Sequence, residues 1–521
     1  MPSPAEESAS SFSIVVPKWQ ASLLPDLACF LTIVCLLYCF FFYNAPSQLF
    51  RDSDTGWHIR NGETILQLHR LPTVDPYSFS KGDERWYSWE WAADAAMGYV
   101  HQIDGLRGVV LLYLILISSC MFLWVRLHWA VGGNFLFVCL FAAPMLSTTN
   151  LHWLARPHLF SWVFILGALL CLEQAPRAFR PWHVPAIVVA TALWTNLHAS
   201  FPLAIVLPVL YCFSYSVGAL LFDVNAEEHL AKARWCLLAA PLAMLATLLN
   251  PLGIGVHVHI AAYLSNTQLL ARIAEFQSFN FHSEGAWQIV AGVIIAMAGA
   301  VAAFSTARLG SCLLILILTA GALRSARGLP LLALVALPLA NGALTAWLRR
   351  LDGLRPAVRN SIDSALDYFS RLRLIDRQLF GHWWFAVGLA LCWVVLHAPA
   401  QVAQTGFPKD QFPVEAAREI AKLPPDARIL APDKYGGYLI YRFKGERKVY
   451  FDGRSDFYGI EFMKEYIRLV EARPGWPQIL ENYGFTHALL PKEYSLIPAL
   501  ERLGWKKLHE DSVCVILSRN F

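Results

Sequence analysis

The chain has 521 residues, 56% of them hydrophobic and 15% charged, with a net charge of +4 and a mean hydropathy of +0.44. A soluble protein is nearer one quarter charged, so most of this length is excluded from being an ordinary soluble enzyme. No basic cluster interleaved with aromatics occurs outside one arginine-rich loop, which argues against nucleic-acid binding, and the absence of any Cys-x-x-Cys among the 11 cysteines removes a zinc or redox signal.

Residues 1–19 are polar and Ser-rich and read as a disordered cytoplasmic N-terminus. The apolar run 23–43 is longer than a signal-peptide core and lacks a small-x-small cleavage site, so it reads as the first spanning helix. A large polar loop, 44–105, follows it. Further apolar runs lie at 106–126, 133–149, 158–173, 184–199, 201–222, 235–250, 286–306, 309–323, 329–347 and 382–400. Since about 20 helical residues cross a hydrocarbon core, residues 20–405 form a polytopic α-helical membrane module of about eleven spans. Lysine and arginine orient it. With the N-terminus inside, the inner loops hold Arg126, Arg177, Arg180, Lys232, Arg234 and Arg308. The last of them, 348–381, holds Arg349, Arg350, Arg355, Arg359, Arg371, Arg373 and Arg377. An odd span count then puts the tail, 406–521, outside. Strand-like runs at 428–431, 438–442, 448–452, 487–490, 506–510 and 513–518 alternate there with helical runs at 459–472, 477–483 and 495–503, the pattern of a small α/β domain. Tyr435-Gly436-Gly437-Tyr438 reads as a tight turn entering a strand. Asp452, Arg454 and Asp456 read as a salt-bridged turn or as a face closing over an acceptor.

With this orientation the unusual polar residues gather on the outer face. The first loop holds Asp52, Asp54, Trp57 and His58, then Glu90 and Trp91; the second outer turn holds Arg156 and His158. Asn196 and His198 end the fifth span, Glu275 lies in a later outer loop, and Arg324 and Arg327 end the ninth span. Ionisable groups at membrane depth are costly and mark function by default. Asp52 and Asp54 fit helix caps before Trp57, and equally a divalent-cation pair or a general base. Trp57, Trp86, Trp89 and Trp91 fit interfacial anchors or platforms for a sugar. His58, His158 and His198 fit hydrogen-bonded structural roles better than metal ligation, and His257 and His259 match no motif. Arg324 and Arg327, three apart and so on one helix face, oppose the charge bias and fit a phosphate clamp.

Together these residues resemble the GT-C superfamily of membrane glycosyltransferases, multi-span bundles with acidic residues in the first outer loop. Its relatives include the dolichyl-phosphate-mannose protein mannosyltransferases and the bacterial lipid A aminoarabinose transferases. A closer resemblance, over nearly the whole chain, is to a group of bacterial multi-span proteins. It rests on Asp52, Asp54, Trp57, His58 and Gly62, on Leu71, Pro72, Asp75, Pro76, Tyr77 and Ser78, and on Glu90 and Trp91. In the tail it rests on Gly436 to Leu439 and on Asp452, Gly453, Arg454, Asp456 and Tyr458. Thr55-Gly56 stands where a second tryptophan is common in that group.

The resemblance implies transfer of a sugar from a polyprenyl-phosphate-linked donor to an extracytoplasmic glycan, lipid or protein at a bacterial inner membrane, with inversion. A phosphate leaving group needs charge stabilisation rather than a general acid, and the acceptor hydroxyl needs a base. On this reading Asp52 or Asp54 is the base and a ligand for Mg or Mn. Arg324, Arg327 and Arg156 hold the donor phosphate. Trp57, His58, Glu90, Trp91, His158, Asn196, His198 and Glu275 line the substrate site. Two other classes compete. A polyprenyl-linked lipid or glycan transporter would show inverted repeats and broken helices at mid-membrane, and no repeat is visible here. A non-enzymatic envelope scaffold would tolerate loss of both aspartates.

Overall fold

The computed structural model describes residues 15–174, 178–221, 226–399 and 404–519. Residues 1–14 of the expected disordered N-terminus, and Arg177, lie outside that set. Among the described residues, six helices are long and apolar enough to cross a membrane: Lys18–Phe42, Trp91–Ala130, Phe135–His152, Leu203–Leu221, Ala286–Ser305 and Gly328–Arg350. Shorter apolar helices, His158–Glu173, His183–Leu197, Leu309–Arg324 and Trp383–Leu396, stand at four more of the expected spans, and Ala226–Ala246 covers part of the remaining one.

Residues 15–19 depart from the expected disorder. Lys18–Leu23 is already helical, because this stretch is stitched to the start of the last span: Val16 N donates to Gln378 Oε1 at 3.0 Å and Phe380 N to the Ala21 carbonyl at 2.8 Å. Asp26 then caps the spanning helix Leu27–Leu37, its Oδ1 accepting from Cys29 N at 2.8 Å.

The Trp91–Ala130 helix breaks at Asp104 and Gly105, where Gly105 takes φ 57°. A left-handed residue costs glycine little, and the break lets the first half belong to the loop and the second half to the bundle. The span expected from residue 106 starts at this bend. The loop half crosses the Asp54–Leu68 helix at two glycines. A Cβ on Gly62 would lie 1.7 Å from the Asp94 carbonyl oxygen, and one on Gly98 2.4 Å from Glu63 N. Backbone-to-backbone approach brings Asp54, His58 and Asn61, one row of their helix, alongside Glu90 and Asp94.

In the tail, β1 (Ile429–Leu430), β2 (His487–Pro491), β3 (Lys506–Glu510) and β4 (Cys514–Ser518) form a sheet in the order β1-β2-β4-β3, with β1 parallel to β2 and the other pairs antiparallel. Helices Ser455–Val470, Trp476–Tyr483 and Leu496–Arg502 stand at the expected positions. Two expected strands are absent. Residues 438–442 end a helix, Asp433–Arg442, and 448–452 make only an isolated bridge, Val449 to Ser78. The reason lies in Gly436 and Gly437, which do not make a turn. They let the helix lie directly on other backbone: a Cβ on Gly437 would stand 2.1 Å from the Ser53 carbonyl oxygen and one on Gly436 2.1 Å from that of Phe451. Each glycine weakens the helix by about 1 kcal/mol, and the docking contact offsets it. Gly437→Ala therefore pushes the tail off the first loop. Its expected cost is roughly 1–3 kcal/mol, the range for overpacking, read as a lower thermal midpoint in detergent.

The tail joins the rest of the chain through apolar as well as polar contacts. One hydrophobic cluster runs from bundle residues such as Phe50 and Tyr113 to Phe407, Phe412 and Tyr438 of the tail. The other tail cluster takes in Leu269 from the loop that carries Glu275, with Phe79 of the first loop packed against it.

Candidate functional site

The site is built where the first loop meets the turn before the His158–Glu173 helix. Thr55 Oγ1 donates to the Ala155 carbonyl at 3.0 Å, and Ala155 N donates to the Leu49 carbonyl at 2.9 Å. These bonds set Arg156 against the start of the Asp54–Leu68 helix. Its guanidinium then gathers three carboxylates: Asp52 Oδ2 at 2.8 Å, Asp54 Oδ2 at 3.0 Å and Glu275 Oε1 at 2.9 Å. Glu275 Oε2 is held in turn by Arg327 at 2.5 Å. Residues 52, 54, 156, 275 and 327 are thus brought into one network. Asp52 also fills the local role open to it, its Oδ1 accepting the Asp54 amide at 2.9 Å.

Three carboxylates share two guanidinium groups, so the cluster is short of one positive charge. Burial pushes the Asp54 carboxyl up to about 7; Arg156 opposes this and the neighbouring Asp52 and Glu275 charges reinforce it. For Glu275 burial acts in the same direction, but Arg156 and then Arg327 outweigh it and hold its carboxyl well below the ordinary range. The tail closes over Asp54: a Cβ on Gly453 would fall 1.8 Å from Asp54 Oδ1. Only glycine fits there.

A second group adjoins. Trp91 Nε1 donates to Asn196 Oδ1 at 2.6 Å, and His198 Nε2 lies 3.5 Å from Glu90 Oε1. Burial, and then the charge of Asp94, pushes the Glu90 carboxyl up. His58 Nδ1 lies 2.6 Å from Asp94 Oδ1, both side chains 1% exposed, and Asp94 Oδ2 accepts from Asn61 at 2.5 Å. Burial, and then Arg156, pulls the His58 ring well below its usual range. His158 lies 2.8 Å from the His152 carbonyl through Nε2, a structural contact. Trp57 is buried, stacked on His58 and edge-on to Trp86 at 6.1 Å, and is core rather than an open platform.

Arg324 and Arg327 do not share a helix face. The Leu309–Arg324 helix ends at Ser325, which is extended (φ −145°, ψ 131°), and Arg327 caps the next helix. Ser325 Oγ and Arg327 N both bond the Glu275 carbonyl oxygen, so the backbone turns away from its helical path to bring Arg327 to Glu275. Arg324 is exposed and makes no side-chain hydrogen bond or ion pair among the described residues. No group of three His, Cys, Asp or Glu able to hold a metal ion occurs among the described residues. The oxygen donors of Asp52 and Asp54 suit a hard cation, but here they face Arg156.

Sequence reasoning missed Asp94, Asn61 and His259. Asp94 left a signal, a lone carboxylate in the apolar run Trp91-Ala92-Ala93-Asp94-Ala95-Ala96, four residues after Glu90. His259 left none; its Nε2 meets Asp456 Oδ2 at 2.9 Å across the bundle–tail seam, where Trp89 Nε1 also donates at 3.2 Å.

No family model matches the chain, and no curated protein matches it. Solved structures do. The oligosaccharyltransferase of Archaeoglobus fulgidus in its apo form aligns with a TM-score of 0.56 at 10% identity, over 89% of this chain and 69% of that one. The Archaeoglobus fulgidus oligosaccharyltransferase AglB in complex with an inhibitory peptide and a dolichol-phosphate aligns with a TM-score of 0.54 at 12% identity, again over 89% and 69%. ArnT from Cupriavidus metallidurans bound to undecaprenyl phosphate aligns with a TM-score of 0.40 at 14% identity, over 94% and 97%. The two oligosaccharyltransferase alignments show that this chain shares the fold of those structures, here a mostly helical bundle with a small sheet-containing tail.

Proposed function

We propose that this protein transfers a sugar from a polyprenyl-phosphate-linked donor to an extracytoplasmic acceptor, with inversion, and that Asp54 is the base. The observation that carries the reading is the convergence of Asp52, Asp54 and Glu275 on Arg156, beneath Gly453, in a chain of this fold. That the AglB structure holds a dolichol-phosphate supports the donor class. Asp54 is the carboxylate that burial brings to about 7, where a base is most effective near neutral pH; Glu275 is held too acidic to serve. In the step, the acceptor oxygen attacks the anomeric carbon while the bond from that carbon to the phosphate oxygen breaks. The acceptor proton passes to Asp54, and the phosphate leaves with its charge facing Arg327 and Arg156. Glu90, Trp91, Asn196 and His198 form the adjoining polar wall for the sugar. In this reading the membrane is a bacterial inner membrane, and the tail lies outside over the site, contributing Gly453 and the acceptor side. A divalent cation, Mg or Mn, at Asp52 and Asp54 is a further part of the proposal and requires Arg156 to release one of them.

The test is transfer from a panel of polyprenyl-phosphate sugars by membranes containing the protein. Wild type is expected to label an acceptor and Arg156→Gln to lose that labelling. Identical labelling from both sinks the reading. A chelator arm decides the cation: loss restored by Mg or Mn supports it, and unchanged transfer leaves the phosphate to the arginines.

A further inference from the structure

The arginine-rich segment 348–381 takes no part in this chemistry. Most of it is a 21-residue helix, Pro356–Asp376, placed between the apolar helices Gly328–Arg350 and Trp383–Leu396. The second of these opens on Trp383 and Trp384, 47% and 40% exposed, whose indole nitrogens donate to the Ser22 and Leu23 carbonyls. Exposed tryptophans at the end of an apolar helix mark the headgroup level. The arginine helix therefore lies at that level too. It also lies at the far end of the bundle from the carboxylate cluster. Arg373 Nη2 donates to the Trp129 carbonyl at 2.7 Å and covers the Trp129 ring at 4.9 Å. Trp129 sits at the end of the Trp91–Ala130 helix opposite Glu90, about 35 Å past its bend at 1.5 Å per residue.

One side of Pro356–Asp376 is fastened to the bundle, through buried Leu366 and the Arg373 contacts. Beside that face runs an apolar stripe at helical spacing: Val358, Ala365, Tyr368 and Leu372. Val358 is 46% and Tyr368 54% exposed. The charges are unbalanced in a specific way. Every carboxylate of the helix is engaged within the protein: Asp363 with Arg359 at 2.7 Å, Asp367 with Arg349 at 3.2 Å, and Asp376 with the Leu27 amide at 2.5 Å. Arg355, Arg371 and Arg377 are exposed and make no side-chain hydrogen bond or ion pair among the described residues. The outward charge is therefore positive, next to an apolar stripe, at headgroup depth.

We infer that Pro356–Asp376 lies in the bilayer surface with its stripe at the acyl boundary, and that Arg355, Arg371 and Arg377 bind the phosphates of anionic phospholipids. Guanidinium groups suit phosphate oxygens bidentately, and an amphipathic helix with this division of charge and apolar surface lies in the interface plane.

The test uses the full chain in nanodiscs of phosphatidylcholine mixed with phosphatidylglycerol. Lipids that stay bound are counted by native mass spectrometry. Wild type is expected to retain phosphatidylglycerol in preference. The preference should fall roughly fivefold for each of Arg355→Gln, Arg371→Gln and Arg377→Gln, the factor for one basic residue at an anionic surface. The single variants carry the test if the triple variant does not fold. A photo-crosslinking amino acid in place of Tyr368 is expected to capture phospholipid. Equal retention of phosphatidylglycerol by wild type and variants overturns the inference, and so does capture of another protein, or of no lipid, at position 368.

Discussion

Arg454→Gln is expected to lower the stability of the folded protein by about 3–5 kcal/mol, the cost of leaving a buried ion cluster with one partner missing. Arg454 bridges the tail and the first loop. Its Nη1 meets Asp75 Oδ1 at 2.8 Å and its Nη2 meets Asp452 Oδ2 at 2.7 Å, with the arginine side chain 1% and both carboxylates 0% exposed. Its guanidinium also lies over the Trp86 ring at 4.8 Å. Removing the cation leaves two carboxylates facing each other without water. Asp75 retains the Tyr77 and Ser78 amides and Asp452 the Tyr458 hydroxyl, but these bonds do not neutralise charge. Thermal unfolding in detergent, followed by limited proteolysis of the tail, reads the effect. Adding Asp75→Asn is expected to restore part of the loss, because one uncompensated charge is then gone. Arg454→Lys is expected to fall between, since a single ammonium does not reproduce a forked bridge. If Arg454→Gln unfolds at the wild-type temperature, the bridge does not hold the tail. Arg454 directly follows Gly453, the residue closing over Asp54, so loosening the bridge also opens the site from above.

How far the site could be read in advance followed from the range of each signal. Asp52 and Asp54 stood out because two carboxylates beside a span are improbable without a purpose, and Arg156 because its turn had no other charge. What joined them, the Thr55 and Ala155 bonds, is tertiary and left no periodic trace. The Gly436–Gly437 pair misled for a definite reason. Glycine marks either a free dihedral or a close approach, and spacing does not separate these; here Ser53 and Phe451 backbone presses on both residues. Arg324 and Arg327 share a face only if the helix continues past Ser325, and there the bond from Arg327 N to the Glu275 carbonyl replaces the helical one. Strands β2 and β4 were legible as short apolar runs bounded by turns, whereas β3, Lys506–Glu510, is a largely polar strand at the sheet edge.

Asp54→Asn is expected to separate activity from stability. With its buried carboxyl near 7, Asp54 is ionised above that pH and protonated below it, so under the proposed role transfer by wild type should rise through neutrality and level off above it. The asparagine variant should lose transfer by about 10²–10⁴, the usual worth of a positioned base, on the plateau above neutrality, and its residual rate should show no rise through pH 7. Its stability should move the other way. A carboxyl whose folded pKa lies above its unfolded value is bound to a proton longer in the native state, so stability declines as pH rises from about 4 toward 7. Asparagine has no charge to desolvate, and Arg156 keeps Asp52 and Glu275 as partners. The variant should therefore unfold at a higher temperature than wild type at pH 8 and lose that advantage at pH 4. The two curves are needed together. A variant both inactive and less stable at pH 8 would make Asp54 an anchor for Arg156 rather than a base. A variant active and unshifted would remove Asp54 from the chemistry. Inactivity combined with added stability is the signature of a group kept ionised at the site against the preference of its surroundings.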